Sequence, residues 1–328
     1  MADRTPIEWT DATWTPIKGC SRHSPGCINC YAEIMAARFS HPGQWGEGLA
    51  RIIDTPQGKD HRWTGSMRFD DGELLKPLGW KKPRRIFVCS TSDLFHESVP
   101  DEWIDKVFAV MALCPQHVFQ VLTKRADRMR VYMERWYRLR FAAERPLGVT
   151  DAMLRAAPAL DADRLTFSAL PVQQNIWLGV SAENQHWLMQ RAPHLVEIPA
   201  AVLFLSLEPC LSEMDIEPFV LPPRRWSNGW ANNYPLDYPK RQIDWVIVGG
   251  ESGPGARPMS LDAARSLRDQ CAKADIPFFF KQWGAHVPCG QLLADGRVWT
   301  NGSNSTLLTT KKVAGRFLDR VQHNGMPT

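Results

Sequence analysis

The stretch Trp245-Val-Ile-Val-Gly-Gly-Glu-Ser252 shows the pattern from which the fold is predicted. A short apolar run, rich in β-branched side chains, passes directly into glycines and polar residues. Such a run is typical of a strand that is buried on both faces, as in a parallel sheet. Five other segments of the chain repeat the pattern, at residues 86–93, 118–125, 176–184, 202–209 and 277–282.

Helical patterns lie between several of these runs. Residues 101–114 and 261–273 carry apolar side chains at the spacing of one helix face, and residues 184–191 form a shorter candidate. Strands that alternate with helices form βαβ units with right-handed crossovers. With a further strand expected at residues 13–17, the pattern predicts an α/β fold, namely a complete or partial (β/α) barrel with inserted segments. A doubly wound open sheet is the alternative.

The 328 residues suffice for one such domain with a sizeable core. We expect a single barrel domain over residues 1–290 and a C-terminal extension over residues 291–328, polar and peripheral from residue 298. Two segments break the alternation and predict insertions, at about residues 130–172, which begin as a helix, and at about residues 218–241.

Composition narrows the class of protein. The formal net charge of +4 permits a phosphate-bearing partner without requiring one. No apolar stretch reaches the roughly 18 residues of a membrane span, and the first residues lack the pattern of a signal peptide. Eight cysteines in a chain of this length do not form a disulfide scaffold. We therefore expect a cytoplasmic protein with reduced cysteines and no membrane partner.

Three cysteines cluster near the N-terminus, in Gly19-Cys20-Ser-Arg-His-Ser-Pro-Gly-Cys27-Ile-Asn-Cys30-Tyr31. Three thiols are an odd number for disulfides and one short of a closed four-cysteine zinc site. The set suits a metal centre with one open position, and an iron–sulfur cluster with three protein ligands is our preferred interpretation. The alternatives are a zinc site completed by His23 and a disulfide between two of the three.

The polar strand ends predict a binding site. In both architectures the carboxyl ends of parallel strands meet at one edge, where ligands bind, and the cysteine loop follows a strand and is expected there too. The alternative is that these residues are only loop starts and helix N-caps. Residues 249–255 also fit a phosphate-binding loop. Basic residues around Trp80 at positions 76–85, with Arg62, Trp63 and Arg68, fit either single-stranded nucleic acid or a solvated loop.

Seven ordered blocks, which cover most of residues 5–285, resemble a phage and bacterial family named for its three-Cys motif. The first block is Ile7-Glu-Trp-Thr-Asp-Ala-Thr-Trp14 with the three cysteines and Tyr31-Ala-Glu33. The others are Ser92-Asp-Leu-Phe-His96, Gln120-Val-Leu-Thr-Lys-Arg125, Leu178-Gly-Val-Ser181, Leu205-Ser-Leu-Glu-Pro209, Val248-Gly-Gly-Glu-Ser-Gly-Pro254 and Phe280-Lys-Gln-Trp-Gly284. The group, a phage protein family or domain of unknown function, is similar to the radical S-adenosylmethionine (SAM) enzymes. Those enzymes use a C-x3-C-x2-C loop, whereas this chain has C-x6-C-x2-C, with Asn29 in place of the usual aromatic residue.

The resemblance implies a role for each residue. Cys20, Cys27 and Cys30 would bind a [4Fe–4S] cluster whose free iron chelates SAM. Cofactor contacts are implied for Tyr31 (adenine), Ser90, Ser92 and Asp93 (methionine amino group), Lys124 or Arg125 (methionine carboxylate), and Ser181, Glu183 and Glu208 (ribose hydroxyls or amine). Glu251, in a Gly-Gly-Glu sequence like that of the superfamily, and Lys281 would serve catalysis at the SAM or substrate site.

The resulting prediction is a radical SAM enzyme that abstracts hydrogen from an unidentified substrate, with a nucleobase or nucleic acid favoured. It requires an external electron donor, and by analogy with the group it has a three-Cys-motif partner protein. The alternative is a zinc-stabilised nucleic-acid-binding protein without catalytic activity.

Overall fold

The computed structural model of the chain describes residues 5–56, 58–141, 174–221, 242–301 and 305–328, with the side chains of 136–141 excepted. The chain divides into two compact units, Met1–Val180 and Ser181–Thr328.

The first unit contains a parallel sheet whose strands are joined by helices. Its described strands are β1 (Ala12–Trp14), β2 (Ile17–Lys18), β3 (Ala50–Thr55), β4 (Gly58–Trp63), β5 (Arg68–Phe69), β6 (Arg85–Val88), β7 (Val118–Thr123) and β8 (Ile176–Ser181). Its described helices are α1 (Tyr31–Arg38), α2 (Asp71–Leu74), α3 (Asp101–Leu113) and α4 (Ala126–Phe141). In the sheet β1 pairs with β6, β6 with β7 and β7 with β8, all in parallel.

The second unit repeats this arrangement. Its strands are β9 (Val202–Leu207), β10 (Trp245–Gly249), β11 (Phe278–Gln282), β12 (His286–Pro288) and β13 (Thr306–Leu308). Its helices are α5 (Gln185–Leu195), α6 (Glu217–Val220), α7 (Leu261–Lys273) and α8 (Lys311–Ala314). Strands β9, β10 and β11 are parallel neighbours, while β12 and β13 form a separate antiparallel pair.

Burial explains why the apolar runs form strands. Every residue of β8, β9 and β10 is buried, which is the expected environment of a strand in a parallel sheet covered on both faces. Helices α3 and α7 lie where their apolar spacing predicts, and the side chain of Asn184 caps α5 by accepting a hydrogen bond from Trp187 N. All six predicted strands and the three predicted helices are therefore confirmed.

The strand order favours a barrel-like sheet. Within each unit the parallel neighbours follow one another in chain order, without the reversal that defines a doubly wound sheet. The fold is thus a mixed α/β fold with parallel strands, in agreement with a partial (β/α) barrel.

The C-terminal extension is part of the second unit, and the prediction of a peripheral tail is wrong. Phe280 N donates to His323 O (3.0 Å) and Trp245 Nε1 donates to Gly325 O (2.8 Å). The tail covers the edge of β11, where backbone groups would otherwise lack partners. Sequence polarity did not indicate this because the tail contributes backbone carbonyl groups to these two contacts.

The predicted insertions lie largely outside the described residues, which omit 142–173 and 222–241. Helix α4 accounts for the helical start of the first insertion. None of the helices that the structure describes is both long enough and apolar enough to cross a membrane.

Candidate functional site

The cysteine loop begins where β2 meets the end of β6. Gly19 pairs with Ser92 in an isolated parallel bridge, and its φ of 100° is one that glycine readily adopts. A Cβ at this position would lie 2.1 Å from Ser66 O, so only glycine fits there. Cys27 ends a short 3-10 turn, and Cys30 is the N-cap of α1. The fold therefore places all three cysteines at the carboxyl end of the strands, as predicted.

The three loop thiols interact with one another. Burial raises the pKa of Cys20 and of Cys30, and the charges of the neighbouring loop thiols raise both further. All eight cysteines are free thiols, which contradicts the disulfide alternative. The described residues contain no group of three or more His, Cys, Asp or Glu side chains arranged to hold a metal ion, so the ligand role of the cysteines stays a prediction.

Two anchors fix the loop segment that separates Cys20 from Cys27. The first is the ion pair of Arg22 with Glu33, which is 1% exposed; the guanidinium Nη2 lies 2.6 Å from Oε2. Glu33 Oε1 also accepts from Trp63 N (2.7 Å), so one carboxylate ties the loop to α1 and β4. His23, between these cysteines, is exposed, which does not favour a zinc site that holds its ring inward.

The second anchor is a network around Ser21. Ser98 N donates to His96 Nδ1 (3.1 Å), so the neutral ring carries its proton on Nε2 and donates to Ser21 Oγ (2.8 Å). Arg125 Nη2 donates to the same hydroxyl (2.9 Å), which itself donates to Glu97 Oε1 (3.2 Å). Because the ring donates to Ser21, His96 does not act as a base toward this hydroxyl; the network holds the loop in place.

Asp93 is saturated by protein donors. Its carboxylate accepts from Thr123 Oγ1 (2.7 Å), Phe95 N (3.0 Å), Lys124 N (3.1 Å) and Arg125 Nη1 (3.0 Å). Burial opposes ionisation of Asp93, but the Arg125 charge and these hydrogen bonds outweigh it and hold the pKa below its usual value. Asp93 thus orients the end of β7, and its lone pairs are used before any ligand arrives.

The remaining first-unit residues differ in what they offer a ligand. Ser92 Oγ donates to Ile17 O, so this hydroxyl joins the ends of two strands. Tyr31 donates its hydroxyl to Ser90 O while its side chain stays 53% exposed, which leaves the ring as a stacking surface. Lys124 lies near enough to Cys30 for its charge to favour the thiolate.

In the second unit, Glu208 and Lys281 form a pair. Glu208 follows β9 and Lys281 lies in β11, and Lys281 Nζ is 3.1 Å from Glu208 Oε2. Ser206 Oγ donates to the same oxygen (3.2 Å). Ser181 Oγ donates to the backbone carbonyl of Glu208 (3.2 Å), and so holds the residue rather than facing a ligand. Glu183, fully buried, is paired with buried Arg191 at 3.1 Å.

Glu251 is also engaged by the protein. Arg257 donates to Glu251 Oε2 from both its side-chain Nε (2.8 Å) and its backbone N (2.8 Å). The glycine before it serves chain packing, because a Cβ on Gly250 would lie 2.0 Å from Trp283 O. A carboxylate that binds the backbone N–H of its own loop occupies the place of an anion, which argues against a phosphate-binding loop.

Three residues of the predicted basic surface are paired with acidic side chains within the first unit. Arg85 is paired with Asp11 at 2.8 Å, Lys76 with Glu73, and Arg62 with Asp60. Arg84 lies over the ring of Trp80, 5.0 Å from its centroid. Such pairing lowers the positive field of these three residues, and both interpretations of the surface, single-stranded nucleic acid or a solvated loop, stay predictions.

Sequence reasoning missed the residues that hold the others in place. The residues to which the sequence analysis gave no role are Arg22, Glu33, His96, Glu97, Arg191 and Arg257. His96 stands inside a quoted block, Arg22 lies between Cys20 and Cys27, and Glu33 follows Cys30 by three residues. These positions were the signal available, but their partners lie too far along the chain to be identified by spacing.

Comparisons with known proteins give a family but no reaction. The sequence model of a family described as "Protein of unknown function (DUF5131)" matches residues 4–327. A protein named alanine racemase from Verminephrobacter eiseniae (strain EF01-2) is 31% identical over 131 residues. That match covers 36% of this chain and 34% of the relative, so the chain spans about a third of the length of the relative that it matches. No solved structure matches the chain.

Proposed function

The chain belongs to the DUF5131 family of proteins of unknown function, and from that premise we propose that it is a radical SAM enzyme whose cluster is held by Cys20, Cys27 and Cys30. One observation carries the proposal. Three thiols that form no disulfide lie in one anchored loop at the carboxyl end of parallel strands. The partial similarity to a protein named as an enzyme and the parallel strand order support an enzyme of some kind.

The donor set fits a cluster by type and number. Three thiolates leave a fourth position open, as a cluster that binds a cofactor requires. Burial disfavours the thiolate forms of Cys20 and Cys30, so cationic iron is the partner that would stabilise them. When bound, such a cluster supplies the electron that cleaves SAM and generates the radical that abstracts hydrogen from substrate.

The residues of the first unit prepare this site. Glu33 holds the loop at Arg22, and Arg125 with His96 holds it at the adjacent Ser21. The exposed ring of Tyr31 offers a face for the adenine, and Lys124 offers a cation for the methionine carboxylate. Asp93 orients Arg125 and the backbone at Lys124, instead of accepting the amino group directly.

In the second unit, we assign Lys281 to contact the substrate. Glu251 holds Arg257 and the loop that follows β10, and Ser181 holds Glu208. Of the residues predicted for this unit, Glu208 and Lys281 are the pair that retains hydrogen-bonding capacity for a ligand.

The test is anaerobic purification followed by incubation with dithionite and SAM. We expect brown protein with about four iron and four sulfide per chain, and formation of 5′-deoxyadenosine. Cys27→Ala should abolish the colour and SAM cleavage, whereas Cys289→Ala, outside the loop, should keep both. Colourless protein with one zinc per chain, or a Cys27→Ala protein that still cleaves SAM, contradicts the proposal.

A further inference from the structure

The carboxylate of Glu208 uses one of its two oxygens. Oε2 accepts from both Lys281 Nζ (3.1 Å) and Ser206 Oγ (3.2 Å). Oε1 is buried and has no hydrogen-bond partner among the described residues. A buried acceptor without a partner destabilises the folded protein, and more so when it is charged. The described chain therefore holds an unsatisfied acceptor beside Lys281.

The neighbouring glycine makes room for this oxygen. A Cβ on Gly249 would lie 2.2 Å from Glu208 Oε1, so any larger residue displaces the carboxylate. The terminal torsion of a glutamate is broad, so a partial rotation can turn the unsatisfied oxygen toward a ligand. The side chain is 16% exposed while Oε1 itself is buried, so a ligand reaches this oxygen through such a rotation.

Lys281 supplies a donor next to this acceptor. Its ammonium group has three N–H donors, one of which binds Glu208 Oε2, and the described residues offer it no second acceptor. Its side chain is 20% exposed. Lys281 Nζ lies 3.1 Å from Oε2 of the carboxylate whose Oε1 is unsatisfied, and a donor beside such an acceptor complements a ligand group that places an N–H beside a carbonyl oxygen.

Charge selects among ligands of this kind. A phosphate or carboxylate alone would face the Glu208 carboxylate, which repels it. The ammonium group of an amino acid needs three acceptors, and this pair provides one unsatisfied oxygen. A ring amide has one N–H and one carbonyl oxygen side by side and adds no net charge to a desolvated site.

We propose that Glu208 and Lys281 bind the –CO–NH– edge of a ring amide, as found in uracil, thymine, guanine and hypoxanthine. Glu208 accepts from the ring N–H, and Lys281 donates to the carbonyl oxygen. Adenine lacks this edge in its common tautomer, and so does cytosine when N1 carries a sugar, as in cytidine. The claim that the bound ring amide is a substrate rests on the proposed function. The claim that Glu208 and Lys281 bind a ring amide does not.

Calorimetric titration of the full-length protein with uridine, 3-methyluridine and cytidine tests the proposal. Uridine should bind, while 3-methyluridine, which lacks the ring N–H, and cytidine should bind at least about tenfold more weakly. Glu208→Ala and Lys281→Met should each weaken uridine binding by about 10- to 100-fold. Glu217→Ala, which breaks the exposed pair with Lys273, should leave binding unchanged.

Three outcomes overturn this inference: uridine does not bind, uridine and 3-methyluridine bind equally, or uridine binding survives Glu208→Ala. The SAM-cleavage assay separates it from the proposed function. Uridine binding with the expected pattern, in protein that never yields 5′-deoxyadenosine, sustains the site and refutes the radical chemistry. SAM cleavage by protein that does not bind uridine supports the radical chemistry and refutes the uridine site.

Discussion

The guanidinium of Arg125 and the carboxylate of Asp93 lie 3.0 Å apart, and their side chains are 5% and 8% exposed. Asp93 follows β6, and Arg125 follows β7. Because Arg125 also donates to Ser21 in the cysteine loop, this pair connects two strand ends to the loop. Its integrity should govern both the stability of the first unit and the position of Cys20.

Arg125→Met should cost about 3–5 kcal/mol of unfolding free energy, because it leaves the Asp93 carboxylate buried without its cation. Urea unfolding measures the loss. Arg135→Met is the matched control: its pair with Asp101 has similar geometry (2.7 Å) but is about half exposed, so the cost should be about 0–1 kcal/mol. Equal losses of unfolding free energy in the two variants would show that the buried Arg125–Asp93 pair stabilises the protein no more than an exposed pair does.

Glu33→Ala should loosen the cysteine loop. Without this carboxylate, Arg22 loses its buried ion-pair partner and keeps the weaker contacts with Asp60 (3.7 Å) and His61 O (3.0 Å), so Cys27 becomes easier to reach. In metal-free protein, alkylation of Cys27 by iodoacetamide, followed by mass spectrometry, should be several-fold faster than in wild type. Glu102→Ala, at an exposed site on α3, serves as the control. An unchanged rate in Glu33→Ala would show that the loop does not depend on this anchor.

The adjacent glycines 249 and 250 should respond differently to alanine. At Gly250 the new Cβ meets the backbone carbonyl of Trp283, which cannot move alone, so a cost of about 1–3 kcal/mol or more is expected. At Gly249 it meets the end of the Glu208 side chain, which can turn away. Thermal unfolding should show a lower melting temperature for Gly250→Ala and little change for Gly249→Ala, which should instead lose uridine binding. The reverse order would contradict the packing described.

His96 should make stability depend on pH. Burial, and then the Arg125 charge, lower the pKa of His96, so the folded state holds the ring neutral at pH 7. The unfolded chain binds a proton near pH 6.5. Stability attributable to this group is therefore present above about pH 6.5 and is lost as the pH falls toward the lower folded value.

Melting temperatures at pH 7.5 and 5.5 test this dependence. The wild-type protein should lose more stability on acidification than His96→Gln, whose side chain cannot be protonated. His41→Gln, at an exposed position, should behave as wild type. If His96→Gln loses as much as wild type, another group carries the acid sensitivity.

The sequence by itself determined the parallel α/β architecture and the candidate chemistry. Apolar runs such as residues 245–248 predict buried strands because burial on both faces demands continuous hydrophobicity. The three cysteines and the acids after the strands were visible because spacing and position are local properties.

Only the tertiary structure decided which of those side chains remain available to a ligand. Asp93, Glu183 and Glu251 carry the right chemistry for ligand binding, but each carboxylate is already paired with an arginine. Glu208 differs because its partner Lys281 leaves one oxygen unsatisfied. Hydrophobic periodicity reports whether a residue is buried; it does not report which distant residue meets it. Glu208 and Lys281 are 73 positions apart in the sequence, but the sheet brings the ends of β9 and β11 to the same edge, where the two side chains meet.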